Sequence, residues 1–535
     1  MTPSADSGQI PPRRDSLAMI FNSYTYLLIF LPLALIGFAL TARIRLRAGF
    51  GWLVLCSIFY YGIWNPDPSQ PWTPLYVLLI LGSCAGNFIC GNALVRSRGT
   101  PKGKAILITS VTANLLFLGY FKYTGFLASV LNQICGWPVE IPQVVLALGI
   151  SFFTFQQIAY LVDAWRGETE EYHFIDYLLF VSFWPQLIAG PIVHHKEMLP
   201  QLQRQTWKNH RWVDASAGLT ILVIGLFKKV VIADNLAPLA NQLFELAGSG
   251  TRPPTFAEAW AGAIIYALQI YFDFSGYSDM AVGTARLFGV RLPLNFHSPY
   301  KATSIIEFWR RWHVTLSRFL RDYLYIPLGG SRCSKSRRYI NLLITMILGG
   351  FWHGAGWTYL LWGLLHGLYL CANHGWIHLR KSLGLPALPK PVAIGVTFFF
   401  VLLAWVPFRA GTFELGASGS TAKALEATRT MLASMFGFHG FSLWPDRSAY
   451  VVKDSHAMRA CLVVLLCWLL PNTQLFMRRY QPVLDPSGFA DYRVRGPRRW
   501  WHWRPTAPWL AFTILLFCGV LHQFDKLSEF IYFQF

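Results

Sequence analysis

The sequence predicts an all-α polytopic integral membrane protein with about 11–13 transmembrane or re-entrant helices. Of its 535 residues, 54% are hydrophobic and 13% charged, and its mean hydropathy is +0.38. Apolar runs of about 17–25 residues recur along nearly the whole chain, each long enough to cross roughly 30 Å of hydrocarbon as a helix. The charge of +20 sits mostly in short connections between those runs. That is the positive-inside pattern of a bacterial inner (cytoplasmic) membrane protein in a lipid bilayer, and it removes nucleic-acid binding as the reason for the charge.

Residues 1–16, MTPSADSGQIPPRRDS, are polar and read as a disordered N-terminus. The run that follows lacks a small-residue cleavage pattern and is expected to stay as a helix. Expected spans fall at about 17–40, 48–64, 74–90, 105–121, 143–162, 175–192, 215–233, 259–283, 339–352, 357–377, 392–408, 457–470 and 508–522. Residues 17–408 thus read as the membrane core. Segment 409–455, rich in Gly, Ser and Ala, reads as a small extracytoplasmic piece, and 456–535 as C-terminal membrane helices with an outward-facing tail. No internal repeat is visible, which counts against a secondary transporter built from paired halves.

Orientation follows from the connections. Arg43, Arg45 and Arg47 mark one side, and Arg96, Arg98, Lys102 and Lys104 mark it again two spans later, while NPDPSQPW between them carries no positive charge. The basic segments 332–338, 380–390 and 478–504 are therefore assigned to the cytoplasm. Arg13 and Arg14 run against this scheme. Cys56, Cys84, Cys90, Cys371, Cys461, Cys467 and Cys518 lie in or beside apolar runs without metal-ligand spacing and read as small core residues; no metal site is assigned.

A titratable side chain at membrane depth is a candidate for function, and three clusters qualify. QIYFDFSGYSDMAVG, from Gln269 to Gly283, places Asp273 and Asp279 in an apolar span. Gly276 is expected to kink or unwind it, and Asp273 and Tyr277 share a face; bracing of irregular backbone is the structural alternative. EFWRRWHVTLSRFLRDYLYIPLGG, from Glu307 to Gly330, reads as one amphipathic helix. Arg310, His313, Ser317 and Arg321 form its polar stripe beside Arg311 and Arg318. It serves as an interfacial anchor, as a guanidinium-lined way in for phosphates, or as both. FWHGAGWTYLLWGLLHG, from Phe351 to Gly367, ends a span at His353, with Gly354 and Gly356 permitting a tight break. A buried imidazole beside open backbone can act as a general base or as a structural hydrogen-bonding group. His366 on the return helix is read as structural.

SFFTFQQIAYLVD, FWPQLIAGPI, FDFSGYSDMAVG, LPLNFHSPYKATSIIEFWRRWHVTLS, RDYLYIPLGG and FWHGA occur in that order. Together they resemble the membrane-bound O-acyltransferase superfamily, in the branch of the alginate O-acetylation membrane subunit and its peptidoglycan, cellulose and teichoic-acid D-alanylation relatives. The match covers roughly residues 20–410 and the extreme C-terminus.

The resemblance implies helices around a central tunnel, with acetyl coenzyme A or another acyl-CoA arriving from the cytoplasm as a substrate; no permanently bound cofactor is expected. It puts the catalytic histidine on His353 and the second histidine on His313. Asn295, Arg310, Arg311, Ser317, Asp273 and Tyr277 are assigned to donor binding and the tunnel. His297, where relatives are expected to carry a small polar residue, adds a titratable group nearby. The ending FIYFQF looks like the Tyr-containing motif of the helper peptide in the D-alanylation system, which makes Tyr532 a candidate transient acyl carrier or, alternatively, an interfacial anchor.

The activity expected from this is O-acetylation of an extracytoplasmic polysaccharide such as an alginate-like exopolysaccharide, cellulose or peptidoglycan. The family also implies a periplasmic acetyltransferase partner of esterase-like fold. D-alanyl transfer to teichoic acid, a polysaccharide or lipid transporter, and a purely structural scaffold for a periplasmic enzyme are the competing readings.

Overall fold

The computed structural model describes residues 20–63, 75–137, 144, 146–188, 190–203, 211–415, 419–442, 454–484, 501–524 and 530–531. Residues 1–16 and Tyr532 lie outside the described residues. Among the described residues the one β feature is an isolated bridge between Pro293 and Leu484. Hydrocarbon offers the backbone no partners, so long apolar segments satisfy their N–H and C=O groups as helices.

In chain order the helices are α1 (Leu31–Ile44), α2 (Leu46–Ile63), α3 (Leu75–Arg96), α4 (Pro101–Cys135), α5 (Ile150–Arg166), α6 (Phe174–Ser182), α7 (Trp184–Leu187), α8 (His195–Gln203), α9 (Arg211–Leu226) and α10 (Asp234–Ser249). They continue as α11 (Phe256–Leu287), α12 (Ile305–Arg311), α13 (Val314–Leu320), α14 (Lys335–His353), α15 (Trp357–Ser382), α16 (Lys390–Ala410), α17 (Thr421–Met435), α18 (Asp454–Leu469), α19 (Thr473–Phe476) and α20 (Ala507–Leu521). Among the described residues six helical stretches are long and apolar enough to cross a membrane: Thr25–Ile44, Leu46–Ile63, Tyr76–Arg96, Pro101–Asn132, Trp212–Ser249 and Lys390–Glu414. Leucines and isoleucines such as Leu33, Ile36, Leu40, Ile514 and Leu515 face outward from the bundle, as lipid contact requires.

The stretch 175–192, expected as one span, is broken into α6 and α7. Phe183 is non-helical (φ −54°, ψ 105°), and Pro185 follows in the first turn of α7, a place where a missing N–H costs nothing.

The seam between α9 and α11 organises the core. Gly218 faces Gly283 and Gly225 faces Gly276; a Cβ on Gly225 would stand 2.6 Å from the Gly276 carbonyl oxygen, and one on Gly283 would stand 2.6 Å from that of Gly218. Small residues at matched spacing let the two backbones touch, a common way for helices to associate where lipid removes any hydrophobic drive. Gly276 therefore does not break its helix as expected: α11 runs unbroken for 32 residues, and the glycine serves close approach. The π-helical stretch Phe227–Ala233 after α9 then sets Lys229 Nζ 2.6 Å from Asp273 Oδ1 and Lys228 Nζ 2.7 Å from Asp279 Oδ2. Farther out, α3, α4 and α5 are joined by amides: Asn114 donates to Asn87 at 2.6 Å, and Ser83 donates to Gln157 at 2.8 Å.

Candidate active site

The 19 residues of α14 rise about 28 Å and end at His353. Gly354 (φ −162°) and Gly356 (φ −166°) are extended, a conformation open to any residue, so conformational freedom does not explain the glycines. Space does. A Cβ on Gly354 would lie 2.2 Å from the Tyr359 ring, and one on Gly356 would lie 2.4 Å from Glu414 Oε2.

A helix end exposes unpaired backbone groups, and an end at membrane depth needs protein partners for them. Lys122 and Tyr123 on α4 supply them for α14. Lys122 Nζ donates to the Trp352 carbonyl and lies 3.4 Å from that of His353, and the Tyr123 hydroxyl donates to the Phe351 carbonyl at 3.1 Å. At the start of α15, the Glu414 carboxylate accepts from the backbone N–H groups of Trp357 and Thr358, both at 3.0 Å, and from the Thr358 hydroxyl. A cation thus meets a helix C-terminus and an anion meets a helix N-terminus, each the favourable sign for the dipole.

The His353 side chain is buried among rings, with Trp352 and Trp362 centroids at 5.0 Å and Phe408 at 5.3 Å. The His313 ring centroid is 6.4 Å away, which brings together the two histidines singled out from the sequence.

The expected single helix from Glu307 onward is broken at that second histidine. α12 stops at Arg311, His313 takes a left-handed conformation (φ 43°), and α13 begins at Val314. The segment 295–297 holds the break from both sides: His297 N–H donates to the Arg311 carbonyl at 2.9 Å, and Val314 N–H to the Asn295 carbonyl at 3.0 Å. His313 Nδ1 lies 3.1 Å from Asn295 Oδ1. His297 is itself buried, with Nδ1 3.2 Å from Asn472 Nδ2.

The remaining expected site residues are distributed differently. Arg310 is exposed. Arg311 bonds Glu307 and the His297 carbonyl, and the Ser317 hydroxyl donates to the Trp312 carbonyl. Asp273 is taken up by Lys229 and by the Ile531 N–H at 3.1 Å. Tyr277 stacks on Phe530 at 4.5 Å, and Phe274 links that ring to His313, at 5.9 Å and 4.7 Å respectively. His366 accepts from Trp309 Nε1 at 3.2 Å and stacks on Phe308, in keeping with a structural role. A narrow recess with room for about one water molecule, lined by Lys228, Ser275, Ser278, Asp279, Asn295 and Gln474, among others, lies beside this group.

Lys122, Glu414 and Lys229 were not singled out from the sequence. A charged residue inside the apolar run GYFKYTGF was the available signal for Lys122.

A polytopic helical bundle brings two buried histidines together at helix breaks, a candidate site for a membrane enzyme. Comparison with known proteins gives the class. A sequence profile of the membrane-bound O-acyltransferase family matches residues 121–409. The peptidoglycan O-acetyltransferase of Helicobacter pylori is 41% identical over 79% of this chain and 81% of its own length. A probable alginate O-acetylase AlgI of Pseudomonas aeruginosa is 40% identical over 74% of this chain and 73% of its own. The teichoic acid D-alanyltransferase of Bacillus subtilis is 27% identical over 60% and 89%. The chain belongs to the membrane-bound O-acyltransferase family, and its activity is that of a membrane O-acetyltransferase.

Proposed function

We propose that the protein moves an acetyl group from cytoplasmic acetyl coenzyme A across the bacterial inner membrane for O-acetylation of an extracytoplasmic polysaccharide. Its relatives' names support a cell-surface glycan as acceptor, alginate-like or peptidoglycan, and a periplasmic acetyltransferase of esterase-like fold would complete the transfer. The observation that carries the reading is the position of His353, on a helix break about 28 Å from the basic end of α14 and 6.4 Å from His313.

In the reaction His353 takes the proton of an acceptor hydroxyl while that oxygen attacks the thioester carbonyl. The C–S bond breaks, the thiolate leaves, and the imidazolium returns the proton to sulfur. The products are an acetyl ester, free coenzyme A and neutral His353. His313 acts on the donor, either holding it or stabilising the oxyanion. Arginines of the 310–321 segment meet the donor's phosphates at the cytoplasmic side.

Tyr532 is the proposed first acceptor, forming a phenyl acetate that the partner enzyme relieves. The burial of Phe530 and Ile531 against Tyr277 and Asp273 supports an inserted tail. Purified protein is incubated with acetyl-labelled coenzyme A, release of free thiol is followed, and the C-terminal peptide is analysed for label. Thiol release that disappears in His353→Ala supports the reading; no thioester turnover by the wild-type protein defeats it. An unlabelled peptide together with full activity in Tyr532→Phe removes the tyrosine step alone.

A further inference from the structure

Asn295 contacts the second histidine through a set of bonds whose directions are fixed. Thr315 N–H can only donate, and it points at Asn295 Oδ1 at 3.4 Å. The Thr315 hydroxyl accepts from Ile192 N–H at 3.0 Å and gives its own hydrogen to the same Oδ1 at 2.9 Å. The amide nitrogen of Asn295 then faces the Ser278 hydroxyl at 3.2 Å. This is a helix-capping arrangement supplied from outside, since Thr315 lies in the first turn of α13. With Oδ1 as acceptor, the 3.1 Å contact to His313 Nδ1 requires a hydrogen on that nitrogen. A neutral imidazole carries one N–H, so Nε2 holds a lone pair. The Phe274 ring meets the imidazole edge-on at 4.7 Å and 89°, which holds the ring in this orientation.

We propose that Asn295 is a positioning residue that locks His313 as the Nδ1–H tautomer, so that His313 receives a hydrogen bond at Nε2 from an amide N–H of the donor's pantetheine arm. This rests on the acyl-CoA reading above and selects between its two roles for His313: the ring holds the donor and does not donate to the oxyanion. Ser278 and Asn295 also line the polar recess, and together they form the outer support of that tautomer.

The test uses full-length protein in detergent with histidine labelled at Nδ1 by nitrogen-15, the His313 signal being identified by its loss in His313→Gln. A protonated Nδ1 in the wild type that loses its proton in Asn295→Leu and keeps it in Asn295→Asp supports the assignment. Turnover of acetyl coenzyme A by Asn295→Leu is expected to fall about 100-fold through misplacement of the donor. A bare Nδ1 in the wild type, or a protonated one indifferent to Asn295→Leu, overturns the proposal. Unchanged turnover in His313→Ala, with the spectra as expected, strikes the acyl-transfer role of His313 and leaves the tautomer assignment standing.

Discussion

Lys122 Nζ lies 3.4 Å from the backbone carbonyl oxygen of His353 and donates to the carbonyl just before it. A lysine on one helix therefore terminates another at the residue proposed as the base. Replacement by methionine keeps the stem and strips the carbonyls of their donor, at a cost of about 1–3 kcal/mol for each group left unsatisfied. Lys122→Met should lower the melting temperature in detergent and reduce acetyl coenzyme A turnover by about 100-fold, the effect of a misplaced base. Lys122→Arg should retain more of both.

His353→Ala is expected to abolish turnover while the protein stays inserted and folded, because the proposed base is removed. His313→Ala should leave measurable activity, about 100-fold down, since only the placement of the donor is lost. Single-turnover assays on membranes with matched protein levels separate the two. Near-normal glycan acetylation in cells carrying His353→Ala would refute the assignment.

Glu414 caps α15 through Trp357 and Thr358. Glu414→Ala should cost about 1–2 kcal/mol, the upper range for losing a cap, and should lower kcat because the loop it holds begins at His353. Glu414→Gln, which still offers a carbonyl oxygen, should fall between the two in thermal unfolding.

Lys229 pairs with both Asp273 and Asp234, at 2.6 and 2.7 Å, with all three side chains nearly sealed from solvent. Lys229→Met strands two buried carboxylates and should destabilise by about 3–5 kcal/mol. Asp273→Asn, which leaves the ammonium one anion, should cost less. Denaturation midpoints of the detergent-solubilised variants give the order.

His353, His313 and Asp273 were legible in the sequence because polar groups stand out in apolar runs and because their motifs are ordered. The break at His313 was not. A helical stripe of Arg310, His313, Ser317 and Arg321 reads as continuous, whereas the backbone is turned there by bonds to 295–297, which no local pattern reveals. Lys122 falls just past the expected span end at 121, yet α4 continues to Cys135, so hydropathy cut the helix where its most informative residue begins. The link from Glu414 to the His353 loop spans more than fifty positions, a separation that periodicity cannot see. Gly276 was noticed but misread: a glycine in a helix signals a kink or a close neighbour with equal force, and only the facing Gly225 decides.

The two charges that terminate α14 and α15 also bear on a side reaction. Thioesters hydrolyse, and a general base in contact with solvent would spend the donor on water. Lys122 and Glu414 give protein partners to the backbone groups they reach at the two helix ends, so those carbonyls and N–H groups call for no solvating molecules. In the proposed reaction this bracing keeps a competing nucleophile from being recruited beside the base by those groups, and it favours delivery of the acyl group to an alcohol over its loss to hydrolysis.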